Sequence, residues 1–251
     1  MTDSKFRAAF RGGQFLSGLQ LTSTAPHWPR HLQGCIDFAF IDCEHHCFSR
    51  EQVAWMCAAY RGAEITPLVR VLTADPALVR AAIDDGAAGI VVPYVETLDQ
   101  VRDLVAAAKL RPIQGQMAAA AMRDQPLSDE FHETSRLHCG DVSLILQIES
   151  RLAVDRCDEL LSVDEVDGVL VGPFDLTATL GCLGDHSDPR FQDAAKRVAE
   201  VARGRGMGAG IYFAESPEKE EWAKEWGYNL MIRGCDWSLI REAIRLRDRP
   251  V

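Results

Sequence analysis

Two acidic residues, each following a short apolar run, are the side chains of this sequence that most clearly suggest a functional site. Glu149 closes the run at 144–148 (LILQI), and Asp175 follows the run at 168–174 (GVLVGPF). Such short runs, rich in β-branched residues, predict strands covered on both faces. In a parallel sheet or barrel, residues that follow a strand emerge at the C-terminal face, where active sites usually lie. Two carboxylates there would repel each other unless a cation lay between them, so we expect a divalent-metal site.

Further polar residues follow other predicted strands in the same way. Asp42, Glu44 and His45 come at or just after the second strand, and Arg70 ends the third. Each alone is an ordinary strand-end residue, but together they form a reactive set. A cation held by two carboxylates keeps positions open for a 2-oxo acid and polarises its carbonyl group. We expect Arg70 to stabilise the enolate oxygen and His45, oriented by Asp42, to transfer protons near neutral pH.

The elements that must position these residues alternate along the chain. Apolar runs predict strands near 18–21, 38–42, 67–71, 89–93, 144–149, 168–172, 209–213 and 230–233. Apolar residues at helical spacing predict helices over 51–60, 76–84, 98–110, 152–161, 191–203, 217–226 and 237–247. Gly86, Gly206 and Gly227 follow three of these stretches, as helix C-caps do. This alternation predicts a closed (β/α)8 TIM barrel over a doubly wound sheet, since no glycine-rich dinucleotide loop follows the first strand.

The stretch 111–140 interrupts this alternation. It contains Pro112, Gly115, Pro126 and a run of alanines at 118–121, and it has no clear strand. Loops of this length in compact domains are usually lids or disordered segments, so we predict a long βα loop with some helix, lying over the mouth of the barrel. Nothing in the sequence resembles a linker or a repeat, and we expect residues 1–251 to form a single domain.

Composition excludes several classes of partner. The net charge of −10 disfavours a nucleic-acid or anionic-membrane partner. No window reaches the roughly 20 apolar residues that span a bilayer, and the first residues lack the apolar segment of a signal peptide. We expect a cytoplasmic protein whose eight cysteines are reduced thiols. Cys43 and Cys47 suggest a zinc site, but the sequence offers no second pair of ligands.

An ordered set of motifs matches a known family. The motifs are Phe38–His45 (FAFIDCEH), Pro67–Val71 (PLVRV), Gly86–Val95 (GAAGIVVPYV), Leu146–Glu149 (LQIE) and Val166–Leu176 (VDGVLVGPFDL). In these motifs, which span most of its length, the chain resembles the HpcH/HpaI aldolases, metal-dependent class II pyruvate aldolases with a TIM-barrel fold.

The resemblance implies roles for the residues already singled out. His45 is implied as the catalytic acid/base, paired with Asp42, and Arg70 as the residue on the keto or enolate oxygen. Glu149 and Asp175 are implied as the metal ligands.

The same resemblance implies further substrate contacts. Gln147 is expected near the substrate, and the backbone amides after Gly172, in the segment that includes Pro173 and Phe174, are expected to hold the substrate carboxylate. Asp84 corresponds to a residue that approaches a neighbouring subunit's active site in this family.

Glu44 and the stretch that begins at Arg111 leave alternatives open. Glu44 either holds a water of the metal ion or is a surface acid. Relatives carry a loop rich in proline, glycine and arginine after the fourth barrel unit, whereas this chain reads Arg111–Met117 (RPIQGQM) and then alanines. In the family, that loop lies near the part of the site that receives the aldehyde. The sequence therefore does not specify which aldehyde this chain accepts. Arg123 either replaces a lost cation or is a surface residue.

These expectations combine into a functional hypothesis. The chain is expected to be a lyase that reversibly cleaves a hydroxy-2-oxo acid to pyruvate, or a related 2-oxo acid, and an aldehyde. The resemblance implies Mg²⁺ or Mn²⁺ as cofactor, with Co²⁺ or Zn²⁺ as alternatives. It also implies a hexamer, a trimer of dimers, with the last helix exchanged between subunits. The rival hypotheses are a C–C lyase or synthase acting on a citrate-like acid or a CoA thioester, and a catalytically silent oligomeric binding protein.

Overall fold

The described strands close into a parallel barrel. A computed structural model of the chain describes residues 1–111, 113, 115–123, 128–139, 141–213 and 217–247. Each strand pairs in parallel with the next, and the last pairs with the first. The predicted (β/α)8 barrel is therefore confirmed, and every predicted strand overlaps an observed one. The strands are β1 Leu16–Leu21, β2 Phe38–Asp42, β3 Thr66–Arg70, β4 Gly89–Val92, β5 Ser143–Ile148, β6 Gly168–Val171, β7 Gly208–Tyr212 and β8 Leu230–Cys235.

Helices follow the strands around the outside of the barrel. They are α1 Asp3–Gly12, α2 Trp28–Leu32, α3 Arg50–Gly62, α4 Pro76–Asp84, α5 Leu98–Lys109, α6 Gly115–Arg123, α7 Asp129–Cys139, α8 Arg151–Asp155, α9 Cys157–Leu160, α10 Pro173–Thr179, α11 Pro189–Gly204, α12 Pro217–Glu225 and α13 Asp236–Arg247. The sequence did not predict α1, α2 or α10, and the helix predicted over 152–161 is divided into α8 and α9. Among the described helices, none combines the length and apolar character needed to cross a bilayer.

Three helices end near the glycines that the sequence predicts to follow them. Gly86, Gly206 and Gly227 have φ values of 98°, 67° and 93°, in the left-handed region that a residue with a side chain rarely adopts. Each lies two residues past the end of α4, α11 or α12, directly after the C-caps Asp85 and Arg205 in the first two helices, so the prediction that a glycine follows each helix is confirmed.

Helix α1 closes the N-terminal end of the barrel. Its aromatic side chains Phe6 and Phe10 are fully buried and pack with apolar residues of the barrel interior, including Phe38 and Leu170. A Cβ atom added to Gly168 would lie 2.4 Å from the Phe10 ring, so β6 can begin there only with glycine. The opposite, C-terminal end is left for the cavity described below.

The predicted position of the stretch 111–140 is wrong. Helix α5 returns the chain to the N-terminal face of the barrel, so the stretch that follows is an αβ connection and not a βα loop. Ala118 packs on Leu110, and Arg123 lies 3.6 Å from Asp99 of α5. The described part therefore covers the outer face of α5, and Arg123 is a surface residue. Positions 112, 114, 124–127 and 140 lie outside the described residues.

A buried carboxylate stabilises the N-terminal face. Asp167 is fully buried just before β6, and its oxygens lie 2.6 Å from Arg7 Nε and 2.8 Å from Lys109 Nζ. The backbone N–H of Leu144 also donates to it, at 2.9 Å. Burial alone would raise the pKa of Asp167, but the charges of Lys109 and Arg7 outweigh it and hold that pKa below its ordinary value.

Replacing Asp167 by asparagine should lower the free energy of unfolding by about 3 kcal/mol at pH 7, because the partly buried cations Arg7 and Lys109 lose the charge of their fully buried partner. Since the folded-state pKa is lowered, this contribution is present above the ordinary carboxyl pKa of 3.8 and disappears as the pH falls through the folded-state value. Urea unfolding at several pH values measures the difference. Asp158→Asn is the control, since its pair with Arg197 is exposed; equal losses in both variants would contradict this assignment.

Candidate functional site

A cavity of about 460 Å³ lies at the C-terminal end of the barrel. Its wall is built by residues at or after the ends of β1, β2, β3, β5, β6 and β7. Predicted site residues that line it are His45, Arg70, Gln147, Gly172, Pro173, Phe174 and Asp175. Asp42, Glu44 and Glu149 lie behind this wall and contact it, as their hydrogen bonds and ion pairs show.

Asp42 and Arg70 form the buried centre of one wall. They end β2 and β3 and are direct partners in the strand register. Arg70 Nε donates to Asp42 Oδ1 at 2.8 Å, and Nη2 donates to Oδ2 at 2.7 Å. Burial alone would raise the pKa of Asp42, but the hydrogen bonds and charge of Arg70 hold it below its ordinary value. The carboxylate therefore stays charged and fixes the guanidinium in a bidentate geometry.

His45 lies at the edge of this pair, where its side chain is 57% exposed. Its Nδ1 is 2.6 Å from Arg70 Nη2 and 3.4 Å from Asp42 Oδ2. Because a guanidinium only donates, Nδ1 accepts, and the hydrogen-bond network assigns the proton of the neutral ring to Nε2. The structure brings His45 and Asp42 together, as expected, but Arg70 is the closer partner of the ring.

Glu44 and Tyr94 lie between Arg70 and the carboxylate of Glu149. The Glu44 side chain is 8% exposed, and its Oε2 lies 2.9 Å from Arg70 Nη1, so Glu44 is not a surface acid. The Tyr94 side chain lies beside Glu44, and the Tyr94 backbone N–H donates to Glu149 Oε1 at 2.8 Å. The backbone of Tyr94 is strained, with a φ of 54°.

Glu149 is a buried acid beside this cavity, with 2% exposure. Gln147 donates to its Oε2, and Gln147 Oε1 lies 3.5 Å from Arg70 Nη1. Burial raises the pKa of Glu149 to about 7, and the charges of Glu44 and Asp175 act in the same direction. The ionised form of Glu149 is therefore costly unless a cation binds nearby.

The segment after β6 packs directly on Glu149. A Cβ atom at Gly172 would lie 3.0 Å from Glu149 Oε2, tighter than most Cβ contacts. Asp175 lies in the first turn of α10 and lines the cavity. Because Pro173 has no N–H, Phe174 and Asp175 carry the first N–H groups of this helix.

The residues around Glu149 fit a hard divalent cation. In the described part of the chain, neither Glu149 nor Asp175 forms an ion pair, whereas the charges of Asp42 and Glu44 are matched by Arg70. Two carboxylates without a matching charge, one of them buried, are the oxygen ligands that Mg²⁺ and Mn²⁺ prefer.

A second group of potential ligands suits a cation less well. Ligand atoms of Asp42, Glu44 and His45 lie within 4.8 Å of one another, but the Arg70 guanidinium already binds all three. Burial also raises the pKa of the Cys43 thiol to about 11, which disfavours the thiolate that a zinc site requires. The cysteines at 35, 43, 47, 57, 157, 182 and 235 are free thiols.

Asp84 is not brought into this cavity. It lies at the end of α4, 51% exposed, and forms an ion pair with Arg111. Its expected role requires a second subunit and stays a prediction.

Several residues around the cavity were missed by the sequence analysis. Gln20 donates to Asp42 Oδ2 at 2.7 Å and accepts from the Tyr212 hydroxyl at 2.8 Å. His186 and Lys219 also line the cavity. Tyr94, Gln20 and Tyr212 lie at or just after strand ends, the signal that identified Asp42 and Arg70, but their side chains are not typical metal ligands or acid/base groups.

The chain is similar to known proteins over nearly its whole length. The family model described as HpcH/HpaI aldolase/citrate lyase matches residues 33–243. A hydroxypyruvate/pyruvate aldolase of Roseovarius nubinhibens is 30% identical, covering 96% of this chain and 93% of its own length. A 2-keto-3-deoxy-L-rhamnonate aldolase of Klebsiella pneumoniae is 29% identical, with coverages of 98% and 92%. The crystal structure of a family protein from Burkholderia cenocepacia superposes with a TM-score of 0.82 at 29% identity, covering 97% of each chain.

Proposed function

This chain belongs to the HpcH/HpaI aldolase/citrate lyase family, and we propose from that premise that it is a divalent-metal-dependent aldolase. Its reaction is the reversible cleavage of a hydroxy-2-oxo acid to pyruvate, or a related 2-oxo acid, and an aldehyde. The proposal depends on one observation. At one end of the cavity, Arg70, fixed by Asp42, lies beside Glu149 and Asp175, two carboxylates that form no ion pair among the described residues.

Glu149 and Asp175 are the residues that would hold the ion, with Mg²⁺ or Mn²⁺ favoured by their oxygen ligands. When bound, the ion supplies Lewis-acid polarisation of the 2-oxo acid carbonyl. Glu44 lies between Arg70 and Tyr94 and helps to order the solvent beside the ion. The amides of Phe174 and Asp175, at the start of α10, bind the substrate carboxylate.

Arg70 and His45 carry out the chemistry on the organic substrate. Arg70 donates to the keto oxygen with N–H groups that contact His45 and Gln147 in the free protein, and these bonds strengthen as negative charge develops there during C–C cleavage. His45 removes the proton from the hydroxyl group of the hydroxy-2-oxo acid and returns a proton in the reverse direction. Proton removal at Nε2 requires the tautomer protonated on Nδ1, in which Nδ1–H faces Asp42 Oδ2, 3.4 Å away, in place of accepting from Arg70.

Exchange of the methyl protons of pyruvate with deuterated solvent tests this proposal without knowledge of the aldehyde. Exchange should be detectable by NMR with Mg²⁺ or Mn²⁺, fall to the uncatalysed rate with a chelator, and return when the ion is restored, since enolisation requires carbonyl polarisation.

The other hypotheses give different results in the same assay. CoA-dependent turnover, without pyruvate release from hydroxy-2-oxo acids, would favour an enzyme acting on a citrate-like acid or a CoA thioester. The absence of exchange with every divalent ion tried would favour the silent binding protein.

We extend the proposal to a cytoplasmic hexamer in which the last helix packs on another subunit. Helix α13 has large apolar side chains exposed to solvent in the single chain, at Trp237, Leu239, Ile240, Ile244 and Leu246. Exposed apolar patches of this kind mark association surfaces.

Changing Ile244 to aspartate should dissociate the assembly, because a carboxylate would then have to be desolvated at the interface. Sedimentation velocity measures the result, and Glu242→Asp on the same helix is the control. A monomeric wild-type chain would contradict the hexamer.

A further inference from the structure

Tyr94 has a strained backbone that its position in the fold does not require. In the described part of the chain, two residues other than glycine have a positive φ, Glu64 at 61° and Tyr94 at 54°. Glu64 directly follows the C-cap of α3, and its N–H donates to the Arg61 carbonyl at 3.0 Å, which is the left-handed turn that commonly ends a helix. Tyr94 lies instead between β4 and α5, where no helix ends. Strain of this kind persists only where the surrounding structure enforces it, and it is frequent at functional sites.

The neighbours of Tyr94 in the chain enforce its conformation. Its own side chain is 47% exposed, whereas Val95 is fully buried in the core. Before Tyr94, Val92 is paired with β5, and after it the Glu96 N–H donates to Gln100 Oε1 of α5 at 2.9 Å. Because the chain is fixed on both sides, Tyr94 cannot adopt a negative φ without moving either its own N–H or the buried Val95.

The N–H group that this conformation places contacts a carboxylate of the candidate metal site. It donates to Glu149 Oε1 at 2.8 Å, and Gln147 donates to Oε2. Each carboxylate oxygen can accept two hydrogen bonds, so one donor on each oxygen still leaves room for a cation.

Burial makes this hydrogen bond difficult to replace. Glu149 is 2% exposed, so water has little access to Oε1 if the Tyr94 N–H moves away. Burial raises the pKa of Glu149, and the hydrogen bonds from Tyr94 and Gln147 oppose that rise. The strained residue therefore favours the charged form of the carboxylate and fixes its direction.

We propose that Tyr94, through its left-handed backbone, is a positioning residue that holds Glu149 in the orientation that binds the metal ion. This inference rests on the proposed aldolase function, because it concerns a ligand that the reaction requires. The hydrogen bond to a buried carboxylate offsets the backbone strain. Tyr94 acts through its backbone conformation and not through its phenol group.

The test compares substitutions that differ in how well they tolerate a positive φ, with Mn²⁺ affinity measured by calorimetry on the metal-free protein. Tyr94→Val should bind Mn²⁺ roughly tenfold more weakly or worse. A β-branched residue strongly disfavours this conformation, and loss of a hydrogen bond to a charged group has an effect of this size. Tyr94→Asn should keep most of the affinity, because asparagine tolerates the left-handed region. Tyr94→Phe, which removes only the hydroxyl group, should bind as the wild-type protein does.

Two results would overturn the proposal. Equal affinities of Tyr94→Val and Tyr94→Asn would show that the backbone conformation does not matter for metal binding. A loss in Tyr94→Phe as large as that in Tyr94→Val would assign the effect to the phenol group. If Tyr94→Val does not fold, Tyr94→Ala and Tyr94→Asn, which both remove the ring, provide the same comparison.

Glu64→Val is the matched control, because it introduces the same β-branched residue at the other strained position. Glu64 lies before β3, at the opposite end of the barrel from the cavity. This variant should lower the urea midpoint, as Tyr94→Val does, but leave Mn²⁺ affinity unchanged. A similar loss of affinity in Glu64→Val would attribute the effect to general destabilisation and would reject the role of Tyr94.

The role of Tyr94 and the proposed function can fail separately. If the wild-type protein binds Mn²⁺ and exchanges the methyl protons of pyruvate, an unchanged affinity in Tyr94→Val rejects only the role of Tyr94. If no exchange occurs but both Glu149→Gln and Tyr94→Val weaken Mn²⁺ binding, the role of Tyr94 stands and the aldolase is rejected. A wild-type protein that binds neither Mn²⁺ nor Mg²⁺ would reject both.

Discussion

Replacing Glu149 by glutamine should abolish metal-dependent exchange of the pyruvate methyl protons, with a loss of about 10³-fold or more. Glutamine has nearly the same shape but no charge, so the ion loses one of its two anionic ligands and with it several kcal/mol of transition-state stabilisation. In the wild-type protein both Glu149 oxygens accept hydrogen bonds, from the Tyr94 backbone N–H and from Gln147. The NH2 group of a glutamine would replace one of these acceptors and face a donor. Exchange and Mn²⁺ affinity, measured by NMR and by calorimetry, should fall together.

The control for this variant is Glu159→Gln, which removes the same charge from an exposed position on α9. It should leave both Mn²⁺ affinity and exchange unchanged. If Glu149→Gln binds Mn²⁺ as tightly as the wild-type protein, the ion is held elsewhere, and the assignment of the metal site is wrong.

Replacing Arg70 by lysine should lower the exchange rate by about 10²–10³-fold while Mn²⁺ binding is retained. The positive charge remains, but a lysine cannot form both hydrogen bonds to Asp42 and also donate to a substrate oxygen in a fixed direction. Loss of one oriented donor to a developing oxyanion typically has this magnitude. A separate loss of metal affinity would instead mean that Arg70 acts by positioning Glu44.

Arg50→Lys provides the matched control for Arg70→Lys. Arg50 also binds an aspartate, Asp85, through two nitrogens, but this pair lies on the surface, with the arginine 67% exposed. The same chemical change there should not affect exchange. Similar losses in the two variants would indicate a general effect on folding and not a role of Arg70 in the reaction.

The barrel could be predicted because its strands are short apolar runs separated by turn residues and helical patterns. β2 was predicted with its observed bounds, since Phe38–Asp42 is buried throughout. The proximity of Asp42 and Arg70 followed from the same rule, because the C-terminal ends of neighbouring parallel strands meet.

Other features could not be predicted, for identifiable reasons. Hydrophobic periodicity finds helices but does not say which end of the barrel they lie at, so the stretch 111–140 was placed over the opening and not on α5. Helix α1 was missed although Phe6 and Phe10 are buried, since its apolar residues fit no strand–helix unit. The sequence does not decide whether Glu44 is a surface acid, because burial of an acid depends on tertiary contacts, here with Arg70.

The aromatic plug formed by Phe6 and Phe10 of α1 has a kinetic consequence. With one end of the barrel sealed, both reactants must pass through a single entrance. If the 2-oxo acid binds beside Arg70, as proposed, it lies deeper than the aldehyde, because the Arg70 side chain is only 11% exposed. We therefore expect the 2-oxo acid to arrive before the aldehyde and to depart after it. Such ordering would be visible in product-inhibition patterns, and it would follow from a filled barrel interior to which two phenylalanines of α1 contribute.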